Sequence, residues 1–246
     1  QIAEGFRSLF NQPEVIAFIR RANPAEPYWL RVVEYCGHGC LQATLDEYAH
    51  MLVDWAVGPG KTLPMLASTV ATYARSALRL RAATVSADAV ELDGDTKRVS
   101  LSETKRMFRS RFAARYGGRT SEEEASAERQ EQLRRAFNSP FWPFVLCSTS
   151  VGQEGLDFHL YCHAVVHWNL PSNPVDLEQR EGRVHRFKGH AVRKNLAHMY
   201  GEGIWKSEAT DPWAFMFREA HRAHRATGED LVPFWFFPLA NGARIE

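Results

Sequence analysis

Hydrophobic positions in the first third of the chain recur at spacings of three and four, as in helices that bury one face. In GCLQATLDEYAHMLVDWA (39–56), Leu41, Leu45, Tyr48, Leu52 and Trp55 share such a face. After the Gly58-Pro59-Gly60 break, LPMLASTVATYARSALRLRAA predicts a second helix. Residues 1–80 therefore read as a mostly helical segment. The period then changes. ATVSADAVELDGDTKRVSL reads as two strand-like stretches around an Asp93-Gly94 turn. Ser121 with Glu124 three residues on makes a capping box, so a helix should run through EEEASAERQEQLRRAF to about Asn138-Ser139-Pro140.

Next, PFVLCST is a short apolar run followed by turn-forming residues, the pattern of a buried strand in a parallel sheet. HAVVHWNL (163–170) predicts a second strand and NLAHMYG (195–201) a third. Between those two, Asn173 and Pro174 supply an N-cap and a proline at the first helical position, so a helix should start there. Strand, turn, strand, helix, strand is the rhythm of an α/β domain with helices on a parallel sheet. The tail carries a helix around DPWAFMFREAHRAHRA and an aromatic run, LVPFWFFPL. Neither an internal repeat nor a low-complexity tract is visible.

Composition narrows this little. With 246 residues, 45% hydrophobic and 24% charged, the chain reads as globular, and no apolar run is long enough to cross a membrane. Its start, QIAEGFRSLF, looks like the interior of a longer polypeptide and shows no export signal. Four unevenly spaced cysteines are too few to staple a chain of this size, which points to the reducing cytoplasm. A net charge of +1 excludes a global field pulling the chain onto nucleic acid. The bases are lopsided, however: 24 arginines against 6 lysines favour the planar donor fork that suits phosphate.

Two stretches carry the candidate chemistry. If the helix from Pro174 continues far enough, Gln179, Gly182, Arg183 and Arg186 share one face, because offsets of three, four and seven stack. Leu177, Val184 and Phe187 would then face the sheet. Gly182 costs about 1 kcal/mol against alanine inside a helix, so close approach of a backbone or a phosphate should compensate. Two arginines one turn apart suit the spreading charge of a transferring phosphoryl group. In the turn at 148–157, small hydroxyl residues followed by Gly152 and Gly155 leave amides free to face a phosphate, and Asp157 can accept from a ribose hydroxyl. The bland readings are a solvated basic helix and a plain strand-to-loop connection.

The order CSTSVGQEGLDF, then VVHWNLPSNPVDLEQREGRVHR, resembles motifs V and VI of superfamily 2 helicases, most closely the Swi/Snf-type branch that includes the bacterial translocase recycling RNA polymerase. The GG-x-SEEE…RRAFN pattern upstream is similar too, and the likeness covers roughly residues 112–200. It implies a second RecA-like lobe: a parallel sheet flanked by helices at 81–205, after a helical accessory segment (1–80) and before a C-terminal helix and aromatic extension (206–246). By the same likeness, Arg183 and Arg186 would be arginine fingers reaching the γ-phosphate of ATP across a cleft. Gln179, Gly155 and Asp157 would line the nucleotide, and Thr149 would touch a DNA or RNA backbone. The N-terminal RecA-like lobe of the same polypeptide would hold the phosphate loop and Mg²⁺. Trp168 stands where relatives often carry a carboxylate, and the strand that usually opens this lobe is not obvious before residue 110.

Several other patterns compete. GPGKT (58–62) lacks the first glycine of a phosphate loop, because position 55 is Trp55. DEYAH (46–50) resembles a metal-holding carboxylate motif but sits on an amphipathic helix. Cys36, His38 and Cys40 lack a partner pair at zinc-finger distance, so no metal site is assigned. His159, His163 and His167 read as core or surface residues. The Phe234–Phe237 run reads as packing rather than base stacking, and His221 and His224 as a solvated helix face. Two rivals thus remain beside the motor lobe: a non-catalytic interaction module that kept its shape, and a self-contained nucleotide binder using GPGKT.

Overall fold

The computed structural model describes residues 1–21, 26–80, 83–92, 94, 98–110, 113–116, 123–148, 160–225, 228 and 230–245. The first eighty residues form α1 (Ile2–Phe10), α2 (Pro13–Arg20), α3 (Tyr28–His38), α4 (Leu41–Ala56) and α5 (Leu63–Leu78). On α4 the three-and-four spacing does what it predicts: Tyr48 and Leu52 are each 1% exposed and pack with Tyr73 and Ala74 of α5. Trp55 is the exception, 54% exposed although its ring leans on Tyr73. The GPGKT stretch links α4 to α5, Gly60 taking a left-handed φ of +79° and Lys61 Nζ bonding back to the Ala56 carbonyl at 2.7 Å. A helix, not a strand, leads into it.

The change of period after residue 80 is real. β1 (Ala83–Leu92) pairs antiparallel with β2 (Val99–Ser110), in register from Ala83↔Ser110 to Leu92↔Val99 with an irregularity at Asp88–Val90. β3 (Ala113–Tyr116) then pairs in parallel with β4 (Val145–Ser148), the strand expected from PFVLCST, but β4 is not buried as expected: Val145 is 54% exposed and only Leu146 is half-buried. Between them α6 (Glu123–Phe137) ends where Asn138-Ser139-Pro140 predicts, and its Leu133 and Phe137 pack with Leu80 and Leu146. The capping pair Ser121–Glu124 begins outside the described residues, at Ser121.

Two expected strands are absent. Residues 163–170 have no regular secondary structure, bend at Trp168 and Asn169, and join no ladder among the described residues; Val166, Trp168 and Leu170 are 90%, 93% and 76% exposed. Residues 195–201 lie inside α8 (His190–Ile204). There Val192, Leu196, Tyr200 and Ile204 step by four, a helical period, and meet α9 (Pro212–His224) and the aromatic tail. Among the described residues the sheets are thus two separate pairs, with a two-stranded parallel ladder in place of a broad parallel sheet.

The C-terminal core joins Val192 and Leu196 to Trp213, Met216, Phe217, Ala220, Val232 and Phe237. Phe234 stacks on Phe217 at 5.7 Å and on Phe187 at 5.6 Å, so Phe234 and Phe237 serve packing, while Trp235 and Phe236 stay 47% and 45% exposed. His221 and His224 are not a solvated face: they lie against Phe234 and Phe237 at 5.6 and 5.5 Å. Asn195 fastens the end of the chain, donating to the Phe237 and Ala243 carbonyls and accepting from Ala243 N.

His190, the first residue of α8, packs against Tyr161 and His163. Burial, with Arg193, His163 and Lys194 nearby, pushes its pKa down to about 3. The unfolded chain therefore binds more protons than the folded one between about 6.5 and 3, and stability must fall as pH falls through that window. In urea titrations, parent and His190→Gln chains should differ by a gap that changes between pH 6.5 and 5; parallel curves there would contradict the assignment.

Candidate active site

The site grows from α7 (Pro174–Glu181) and the turn after it. Asn173 caps the helix as predicted, its Oδ1 accepting from Val175 N at 3.1 Å, with Pro174 at the first helical position. Arg180 Nη1 donates to the Asn169 carbonyl at 3.1 Å, and Glu181 lies 3.5 Å from His167 Nε2. These contacts tie α7 to the 163–170 segment.

The helix ends at Glu181, five residues before Arg186, the residue that the one-face reading requires it to reach. Gly182 is its C-cap, with αR backbone angles. Gly182 N bonds Glu178 O at 2.7 Å, then Arg183 N bonds Arg180 O at 3.4 Å and Val184 N bonds Glu181 O at 3.1 Å. The last two are i→i+3 bonds, so the backbone tightens into a 3₁₀-like turn. A Cβ on Gly182 would stand 3.0 Å from the Glu178 carbonyl oxygen, and this backbone crowding accounts for the glycine without a phosphate. Val184 plugs the turn into the core at 2% exposure. Leu177 is half-buried, and Phe187 meets Phe234 and Trp235 of the tail, not a sheet.

The structure thus brings Gln179, Arg183 and Arg186 onto one helix-and-turn unit. Gln179 is exposed, and both arginines are half-buried. Arg186 has an unusual feature: its Nε is sheltered from solvent yet has no hydrogen-bond partner among the described residues. A sheltered donor without an acceptor is costly, by about 1–3 kcal/mol, and suits an incoming anion. Thr149, Gly155 and Asp157 lie outside the described residues, as does His159.

Residues that sequence reasoning missed surround this turn. Lys188 is buried, with a left-handed φ of +53°. Its ammonium pairs with Asp54, sits 3.1 Å from His50 Nε2 and lies 4.7 Å above the Phe217 ring. Lysine has donors alone, so His50 Nε2 accepts, and Nδ1–H donates to Asp211 at 2.9 Å. Burial raises the Asp211 pKa, but bonds from Ala214 N, His50 and Trp213 N outweigh it and hold the carboxyl below its usual range. Arg193, with no exposed surface, donates to Glu47 at 2.6 Å, to the Lys188 carbonyl at 2.7 Å and to the Leu160 carbonyl at 2.6 Å. Glu47, His50 and Asp54 sit on α4 at spacings of three and four. That polar stripe beside Tyr48, Met51 and Leu52 was the available signal. Among the described residues, no three His, Cys, Asp or Glu side chains gather as metal ligands.

Residues 80–188 match the family model of the helicase conserved C-terminal domain. A stretch of 85 residues is 28% identical to the uncharacterized ATP-dependent helicase YqhH of Bacillus subtilis (strain 168), covering 35% of this chain and 14% of that protein. The chain therefore spans a small part of the length of that relative. No solved structure matches it. The matched span contains Gln179, Arg183, Arg186 and Lys188, while Asp54, His50, Arg193 and Asp211 fall outside it. Among the described residues, no helix is long and apolar enough to cross a membrane.

Proposed function

We propose that this chain is the second motor lobe of an ATP-dependent helicase or translocase of the Swi/Snf-type branch, working against a first RecA-like lobe in the same polypeptide. The observation that carries the reading is the sheltered Nε of Arg186, without a hydrogen-bond partner among the described residues, on a turn inside the helicase-matched span. It fits a phosphate oxygen, which offers the missing acceptor and the opposite charge. ATP, bound mainly by the first lobe with Mg²⁺, supplies a γ-phosphoryl group that gathers negative charge as it leaves. Arg186 donates to that group from this side of the cleft, and Arg183, one turn before it, adds a second guanidinium. Gln179 lines the same cleft, and Gly155 and Asp157 face the nucleotide. Thr149 contacts a DNA or RNA backbone. Closing the cleft on ATP and opening it after hydrolysis is a hinge motion that would step the lobes along the strand.

The helix-rich architecture, with residues 195–201 helical and 163–170 unpaired, favours a second reading: a non-catalytic interaction module derived from such a lobe. Turnover separates the two. The 246-residue chain alone should hydrolyse ATP negligibly, and the polypeptide with both lobes should turn over with a nucleic-acid strand present. Helicase-level turnover by the chain alone would contradict the shared-cleft reading, and an inactive two-lobe polypeptide would favour the module. Lys61→Ala should change neither rate, since Lys61 is engaged with the Ala56 carbonyl in a helix linker.

A further inference from the structure

We infer that Asp54 and His50 of α4 are positioning residues for Arg186, acting through Lys188; the inference rests on the finger reading above. Lys188 follows Arg186 by two residues and takes a left-handed backbone conformation that L side chains rarely hold. Such a conformation persists where surroundings over-determine it, and here they do so from four directions. The ammonium is held by Asp54 and His50 of α4 and capped by the Phe217 ring of α9. The amide donates to the Phe234 carbonyl at 2.6 Å. The carbonyl accepts from the buried Arg193 of α8. Behind this clasp, Gly189 N returns to the Arg186 carbonyl at 2.9 Å, closing a turn on the finger residue itself. A Cβ on Gly189 would come within 3.1 Å of that same oxygen, so the turn is tight.

The turn that carries Arg186 is therefore braced by α4, α8, α9 and the tail, all outside the helicase-matched span. A finger is useful only if its guanidinium waits where the charge develops, so loosening the clasp should misplace it without removing it. His50 is in turn oriented by Asp211, the N-cap of α9. Movement of α4 against α9 would thus be felt at Arg186.

Two variants test this. Asp54→Asn keeps the shape and removes the charge that holds the ammonium. Lys188→Gly tolerates the left-handed backbone but deletes the side chain, and it carries the test if Asp54→Asn lowers the melting temperature severely. Hydrogen exchange on the 246-residue chain should show the amides of positions 188 and 189 opening about tenfold faster or more in both variants, after correction for intrinsic exchange. In the two-lobe polypeptide, kcat for ATP should fall about 10²-fold with KM for ATP nearly unchanged, as for a misplaced group. Amides as protected as in the parent overturn the proposal outright. Arg186→Ala in the same polypeptide separates the failures. If it is silent, the finger reading has failed. If it is severe while a variant with loosened amides turns over ATP at the parent rate, the positioning role alone has failed.

Discussion

Arg186→Ala, made in the polypeptide that carries both lobes, should lower kcat for ATP hydrolysis by roughly 10³–10⁵, the range an arginine finger contributes to phosphoryl transfer. The loss should sit in kcat more than in KM. The first lobe would hold the nucleotide in the ground state, and the guanidinium would matter most as charge spreads onto the γ-phosphoryl oxygens. Arg186→Lys should recover little. An ammonium keeps the charge but loses the planar fork and the Nε–H, the atom that stands sheltered and without a hydrogen-bond partner among the described residues. Steady-state kinetics at saturating ATP read both variants. Parent-like kcat in Arg186→Ala would remove the arginine from the chemistry.

The second large effect is on stability and falls at Arg193. Its guanidinium is wholly buried, paired with Glu47 and bonded to two main-chain carbonyls. Arg193→Ala leaves the Glu47 carboxylate, 18% exposed, with its partner gone and strands two carbonyls. Breaking a buried pair from one side costs about 3–5 kcal/mol, and partial solvation of Glu47 argues for the lower end. Removing both partners together should cost far less, because no unpaired charge remains: Glu47→Leu with Arg193→Met should recover much of the loss. Urea unfolding of the parent, Glu47→Leu, Arg193→Met and the double variant closes the cycle, with Arg193→Ala measured beside them. An Arg193→Ala chain within about 1 kcal/mol of the parent would show that the buried network does not hold α4 to α8.

The contrast between these residues explains what the sequence made legible. Asn173-Pro174 predicted the start of α7 because an N-cap and its proline act within three residues. The α4 face was readable because sixteen residues sample more than four turns. The end of α7 was not, since Gly182 can sit in a helix or close one, and the i→i+3 bonds that decide it leave no trace in the residue types. The window 195–201 was too short to tell strand from helix. Extending it back to Val192 and on to Ile204 exposes the step of four. At 163–170 the residue types, Val165, Val166 and Trp168 among them, suit a strand, but a strand needs a partner, and none is paired there among the described residues.

The clasp was the least legible part. Asp54 and Lys188 are 134 positions apart, Glu47 and Arg193 146, His50 and Asp211 161. No local period links such residues. Each looks like a surface charge until the fold brings its partner. Arg183 and Arg186 were singled out by two routes, helical spacing first and then resemblance of a motif. The helix-face argument falls, because both lie on the turn after α7, and their role as fingers rests on the motif.

The most direct measurement is a structure of the two-lobe polypeptide with a non-hydrolysable ATP analogue bound. A guanidinium nitrogen of Arg186 should lie about 2.7–2.9 Å from a γ-phosphate oxygen, the distance of a charge-assisted hydrogen bond. An Arg186 side chain facing away from the inter-lobe cleft while the analogue is bound would contradict the account.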